Sequence, residues 1–403
     1  MSMRTGFIFM AVMACAAAMA SANATVSAPP LALTADRGES SLGFHIKALE
    51  DPDGKWTIDD LLHGGLDEKF TPVLGRFPNY GHTRSAIWLK TQIDNTTTQP
   101  IGGALEAQTP WIDSLELYVK KPGGGYDMIR SGQRTPFAQR IPALRAFLFP
   151  LEFYPQESKT IYIRAQTNGP MALPMTFWRP WALVQCESGR MFYFGAFFGV
   201  LSLLIFRRAA VLWTKPETEG LYHLAYMAAG FMFAFTYNGL AAAWLWPGLG
   251  ISTALAALLF GLALQIAAAQ LTRSFLDLGG QWPRADRLLK AMILVWAAMA
   301  LLRLTPLFPS AIDELAWQSM RLFMIPLALI AYVRLMSGIR EARWMRAAWG
   351  LSLAGALVGV SSVTGGLAYS ALGVKLGEVM FLAGAALAGA GLDEKKNNQA
   401  QGA

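Results

Sequence analysis

The sequence predicts an exported all-β jelly-roll or sandwich domain followed by an all-α bundle of seven transmembrane helices. Three observations carry this. The chain opens on an apolar leader. Residues 30–185 alternate in apolar character over short segments. Residues 191–392 hold seven apolar runs separated by short knots of Arg, Lys, Pro and Gly. Hydrophobic residues make up 54% of the 403 and charged residues only 15%, the balance of a chain half inside a bilayer.

Met1 to Ala24 reads as a secretory leader: Arg4, an apolar core from Phe7 to Ala20, then Ala22-Asn23-Ala24 in the small-x-small pattern of a cleavage site. Residues 1–24 are therefore expected to be a signal peptide. A lipoprotein signal ending at Cys15 and a retained anchor helix are the alternatives. In each case the following residues face the outside of the cytoplasmic membrane. Cys15 and Cys186 are the only cysteines, and the first is expected to leave with the leader, so no intramolecular disulfide is expected.

Residues 25–185 form the expected periplasmic β-sandwich. Alternating segments bounded by turn residues predict strands at Leu42–Leu49, Ala86–Ile93, Ile101–Ala107, Asp113–Lys120, Tyr126–Arg130, Ala146–Phe153, Lys159–Gln166 and Met171–Trp178. In the second, Ile87, Leu89, Thr91 and Ile93 share one face against Trp88 and Lys90. One short helix is expected at Thr57–Leu62. Short strands at this spacing argue for an antiparallel sandwich or jelly roll, because a parallel sheet would need crossover helices that do not fit between them.

Residues 186–392 are the expected membrane domain. Its runs cover roughly 191–208, 219–243, 251–272, 287–305, 313–336, 345–366 and 370–391. They are apolar on every face, which a soluble amphipathic helix is not, and each is long enough to cross the hydrocarbon core. Pro326 falls inside the fifth and is expected to kink it. With an exported N-terminal domain the first helix runs outward to inward. Loop charge agrees: Arg207, Arg208, Lys215, Arg273, Arg284, Arg287, Lys290, Arg340, Arg343, Arg346, Lys395 and Lys396 fall on the expected cytoplasmic side, and Trp246-Pro247-Gly248 on the other carries none. This placement accounts for the net charge of +7 without any nucleic acid. Residues 393–403 are expected to be a polar cytoplasmic tail.

Two charges fall inside the runs at similar depth. Arg321 in the fifth and Glu378 in the seventh each lie about eight residues in, or about 12 Å at helical rise. An unpaired charge there costs at least ~2.5 kcal/mol, and the opposite signs suggest that the two face each other inside the bundle. The competing arrangement has Arg321 reaching outward and Glu378 paired with Lys375 on its own helix.

No catalytic constellation, metal-ligand spacing or phosphate loop is present: His45, His63, His82 and His223 are scattered, and Gly123-Gly124-Gly125 is a hairpin turn. No cofactor is expected, and the chain is not expected to be an enzyme. Arg130, Arg134 and Arg140, with Arg145 and Arg164, make the exported domain locally basic and suit an oxyanion. The plain alternative is surface ion pairing. Trp88 and Tyr118, with Trp56 and Trp111, suit stacking on a sugar ring, against the plain alternative of core packing.

The order of these parts carries a resemblance. Ser85-Ala86-Ile87-Trp88-Leu89-Lys90 is followed by Asn95, Leu115-Glu116-Leu117-Tyr118, Arg130-Ser131-Gly132, Pro136-Phe137, Arg140 and Ile161-Tyr162-Ile163-Arg164, and then by seven runs. The chain resembles the bacterial seven-transmembrane receptors with diverse intracellular signalling modules, its exported part resembling their second type of extracellular domain. The resemblance implies a jelly-roll sensor that binds carbohydrate-like ligands, coupled through helices to a cytoplasmic output. The sequence ends eleven residues after Leu392, without the cyclase or kinase module that most members carry there, so two expectations stand open: the output lies on a separate cytoplasmic protein, or the chain is a truncated member. The reading is thus a sensory receptor of the bacterial cytoplasmic membrane, with the bilayer, a periplasmic small molecule or carbohydrate and a cytoplasmic signalling protein as partners, and a homodimer left open. A transporter or channel with an exported accessory domain is the alternative; no repeat between helix groups supports it.

Overall fold

Alternating apolar residues build the exported domain as two facing sheets. The structure, a computed structural model, describes residues 28–401 apart from 74, 76, 122, 141–143, 249–251, 306–308, 338–341 and 364–370. The leader and its cleavage site lie outside the described residues. The strands are β1 (Leu31–Leu33), β2 (Glu39–Ser41), β3 (Ile46–Asp51), β4 (Thr71–Pro72), β5 (Asn79–His82), β6 (Ala86–Asn95), β7 (Ile101–Ala107), β8 (Ser114–Lys120), β9 (Tyr126–Ser131), β10 (Phe147–Phe153), β11 (Ser158–Gln166), β12 (Pro170–Ala172) and β13 (Met175–Trp178). One sheet runs β4-β3-β6-β11-β8-β9, and the other β10-β7-β13-β2, with β12 and β5 as a separate ribbon. All pairings are antiparallel except β1 with β6, where Leu31 to Leu33 lie beside Ile93 to Asn95, past the end of β3.

Period-two patterning decides which side chains meet. Ile87, Leu89 and Ile93 of β6, Leu115 and Leu117 of β8 and Ile161 and Ile163 of β11 face Leu105, Phe147, Phe149 and Phe177 of the second sheet in one buried core. The opposite face of the first sheet is covered too. A six-residue helix, α1 (Ile58–His63), lies over it and closes a smaller cluster of Leu61, Phe70, Trp88, Tyr118 and Tyr162. Thr57 and Asp60 cap α1 reciprocally: Asp60 N–H donates to the Thr57 hydroxyl at 3.3 Å and Thr57 N–H to the Asp60 carboxylate at 2.8 Å.

Two expected strands differ. Within Leu42–Leu49, Gly43–His45 form a single 3-10 turn, and the strand begins at Ile46. Met171–Trp178 is split by Leu173-Pro174, because proline has no N–H to continue a ladder; β12 pairs with β5, and β13 with β7 and β2.

The second half is helical: α2 (Pro180–Thr214), α3 (Thr218–Tyr237), α4 (Leu240–Trp244), α5 (Thr253–Phe275), α6 (Leu278–Gln281), α7 (Pro283–Arg303), α8 (Pro309–Leu322), α9 (Met324–Met336), α10 (Ala342–Val363) and α11 (Ala371–Gln401). The segments Pro180–Thr214, Thr253–Phe275, Asp313–Met336 and Leu372–Gln399 are long and apolar enough to cross a membrane. The remaining long helices carry most of their charges within the first turns, Glu219 on α3, Arg284, Asp286, Arg287 and Lys290 on α7, and Arg343 and Arg346 on α10, with Arg303 closing α7.

Four helix ends depart from the apolar runs. Helix α2 begins at Pro180, eleven residues before the charge-free run, because proline suits the first turn of a helix and polarity does not prevent one. Helix α3 stops after Tyr237, where Gly239 adopts φ 78°; a Cβ there would lie 2.8 Å from Pro110 of the sandwich. The fifth run breaks at Phe323 into α8 and α9, one residue past Leu322, whose carbonyl is the one that the Pro326 ring would crowd. Helix α11 continues through Asp393 to Gln401, so the described part of the expected polar tail is helical, with 393–396 half-buried and 397–399 exposed. Helices α10 and α11 touch backbone to backbone: a Cβ on Gly377 would lie 2.9 Å from the Gly355 carbonyl oxygen.

Candidate functional site

The sandwich presents one polar row on its outer face. Register sets Arg164 of β11 beside Glu116 of β8, and Glu116 beside Arg130 of β9. The Arg130 guanidinium lies 3.3 Å from the Glu116 carboxylate and is 68% exposed. The Tyr118 hydroxyl donates to the same carboxylate at 2.7 Å, and Arg164 donates to the Gly54 carbonyl at 2.7 Å. Burial and the Glu116 bond together raise the Tyr118 phenol well above its ordinary pKa. Tyr118 stacks on Trp88 with centroids 5.7 Å apart. Trp88 itself is wholly buried beneath α1 and Phe70, so it forms the floor of this face and offers no ring to solvent.

The other two candidate arginines stand apart from that row. Arg134 is exposed in the loop after β9. Arg140 is buried, donates to the Thr135 carbonyl at 3.1 Å, and lies over the rings of Phe147 (4.8 Å) and Phe137 (5.5 Å). Burial pulls its pKa down to about 10. The five candidates therefore divide: Arg130, Tyr118 and Trp88 share one face, while Arg134 and Arg140 lie in the loop between β9 and β10.

The junction between sandwich and bundle was not visible in the sequence. Glu106 of β7 is 1% exposed. It accepts from Trp178 Nε1 at 2.7 Å and from Arg190 of α2 at 2.6 and 3.2 Å, a forked contact. Arg190 also pairs with Glu187, which lies 3.7 Å from Arg145 of the sandwich. Beside this network Trp111 stacks on Tyr237 at the end of α3, centroids 4.7 Å apart. Gln133 accepts from the Thr253 N–H at the start of α5 at 2.6 Å.

Below the junction sits Glu378. Its carboxylate accepts from the Tyr193 hydroxyl of α2 at 2.7 Å and from Asn238, next to Tyr237, at 2.5 Å. Lys375 places its ammonium 3.8 Å from the Tyr193 ring centre and 4.5 Å from that of Phe194. The Arg321 side chain lies outside the described residues. Glu378 also borders a cavity of about 120 Å³ among the helices. At the far end of the bundle the last turns of α11 are ringed by charges: Asp393 with Arg207 and Arg208, Glu394 with Arg343, Lys395 with Glu219, and Lys396 with Glu217.

A sandwich seated on the end of a long apolar helical bundle defines an integral membrane protein with an N-terminal extracellular domain. The comparisons give the family. Residues 43–179 match the family described as 7TMR-DISM extracellular 2, and residues 190–390 match 7TM diverse intracellular signalling. The chain belongs to this family of seven-transmembrane sensory receptors. No curated protein matches it.

Proposed function

We propose that the outer polar row of the sandwich binds a periplasmic, carbohydrate-like ligand and that the bundle relays its binding to a separate cytoplasmic signalling protein. The protein sits in a bacterial cytoplasmic membrane with its C-terminus inside. The single observation that carries the relay is Glu106, a sandwich carboxylate buried at the junction and gripped by Arg190 of the first membrane helix. A buried forked ion pair leaves little freedom for the domain to move without the helix. The outer row offers a sugar the exposed Arg130 guanidinium and the Glu116 carboxylate, with Arg164 beside them and the buried Tyr118 holding the carboxylate from behind. The basic residues at the far end of the bundle support the orientation.

Full-length protein in lipid nanodiscs, titrated with a panel of acidic and neutral oligosaccharides, tests the ligand. Binding by at least one class, lost in Arg130→Ala and Glu116→Ala, is expected. Binding unchanged in both variants would move the site elsewhere. A reporter active only in the cytoplasm should be active after Lys396 and silent within Trp246–Gly250; the reverse pattern would overturn the orientation.

A further inference from the structure

We propose that the cavity beside Glu378 is a second ligand site, which takes a small, mostly apolar molecule bearing one hydrogen-bond donor, such as a phenol or a benzylic alcohol. The proposal stands whether or not the outer domain binds sugar, because it rests on different residues.

Size and lining set the ligand class. At about 120 Å³ the space is somewhat smaller than the roughly 150 Å³ apolar cavity that takes a benzene. Its walls are mostly carbon: Phe233 of α3, Trp317 of α8, Phe381 of α11 and Phe323 at the break between α8 and α9 supply aromatic faces, and Gly230, Gly261, Gly355 and Gly377 supply bare backbone. Water needs two to four polar partners to settle in such a space, and these walls offer few, so an apolar body is favoured over water.

Among the lining residues, which also include the hydroxyls of Ser352 and Tyr237, Glu378 supplies the carboxylate. Glu378 holds two donors, Tyr193 and Asn238. A carboxylate has about four acceptor positions, so about two remain. A ligand hydroxyl meets one of them. A cationic ligand is disfavoured, because Lys375 already places a positive charge against Tyr193, the partner of the same carboxylate. The position has consequences. Tyr237, which stacks on Trp111 of the sandwich, lines one side, and Phe323 and Met324, at the break between α8 and α9, line another. An occupant touches both the docking end of the bundle and its broken helix.

The test uses full-length protein in lipid nanodiscs and a butanol carrying a diazirine as photoprobe. Labelling should saturate and map to cavity residues such as Trp317 and Phe381. Benzyl alcohol should displace the probe at a membrane concentration at least about tenfold below that of toluene, the ratio expected of one hydrogen bond to a charged acceptor. Glu378→Gln, which keeps the shape and removes the charge, should narrow that ratio. Labelling that never saturates and falls on outward side chains such as Phe206 and Leu294 would overturn the proposal. Equal displacement by benzyl alcohol and toluene would overturn it as well, since a lipid acyl chain, which has no donor, would then fit equally.

Discussion

The two ends of the bundle hold their charges differently. At the end that carries the sandwich, Glu106 is 1% exposed and Arg190 is 14% exposed, and the carboxylate is filled by Arg190 and Trp178 together. At the other end, Arg207 and Arg343 are more than half exposed, and Asp393 and Glu394 keep 32% and 27% exposure, although Arg208, the second partner of Asp393, is itself buried. Breaking a buried pair strands a charge in a medium that cannot solvate it, whereas water replaces an exposed partner at little cost. The difference teaches that one end is built to hold and the other to adjust. The proposed relay would use that division, with a firm grip at the sandwich and a softer contact at the far end.

The largest effect should come from breaking the firm end. Glu106→Ala leaves Arg190 buried without its main partner, and should cost about 3–5 kcal/mol in unfolding of the full chain in detergent. A loss below about 1 kcal/mol would show that the junction is solvated. A smaller effect sharpens the same end. Trp111→Ala and Tyr237→Ala, combined in a double-mutant cycle, should show a coupling of about 0.5–1.5 kcal/mol from their stacking. A coupling of zero would mean that the two rings only share space. At the soft end, Arg343→Ala should cost about 0.2–1 kcal/mol, and even that should fade at high salt. A loss independent of salt would place the Glu394 pair in a drier setting than its exposure indicates.

The smallest effect lies on the sandwich, remote from both ends. The Thr57 N–H and hydroxyl hold the Asp60 carboxyl below its ordinary value of 3.8. A depressed folded pKa contributes stability that is present above 3.8 and is lost as pH falls through the lower folded value. Amide exchange in α1 should therefore be flat from pH 7 to 5 once corrected for intrinsic rates. It should rise only below pH 3.8, exposing the Trp88 floor. A rise already at pH 5 would contradict the capping box.

Much of this was legible in the sequence, because patterning and burial are the same fact seen twice. Alternation placed Ile87, Leu89 and Ile93 in the sandwich core, and length with apolarity marked the helices. Strands of two to four residues such as β1, β4 and β5 were not legible, since so few positions cannot show a period. Trp88 was legible as a residue of the outer face with core packing as one of its readings, but what buries it was not legible, because α1 covers that face only after the chain has folded back. The junction was illegible for a related reason. Glu106 looks like any outward carboxylate on a strand until Arg190, 84 residues later, comes to meet it. The charges at 393–396 were visible as the polar end of an apolar run. Their pairing was not, because it depends on α11 continuing past the apolar residues. Glu378 stood out as an intramembrane charge, but depth alone pointed toward another charge, whereas the partners that the structure describes are a phenol and an amide.

The central claim is that the buried junction makes sandwich and bundle one mechanical unit. Hydrogen–deuterium exchange of the full chain in nanodiscs, native against Glu106→Gln, tests it most directly. Faster exchange is expected on both sides of the junction at once, in β13, in the first turns of α2 and around Tyr237, with residues 393–396 unchanged. Faster exchange confined to β7 and β13, with α2 and α3 as protected as in the native protein, would show that the sandwich moves without the helices and would contradict the account.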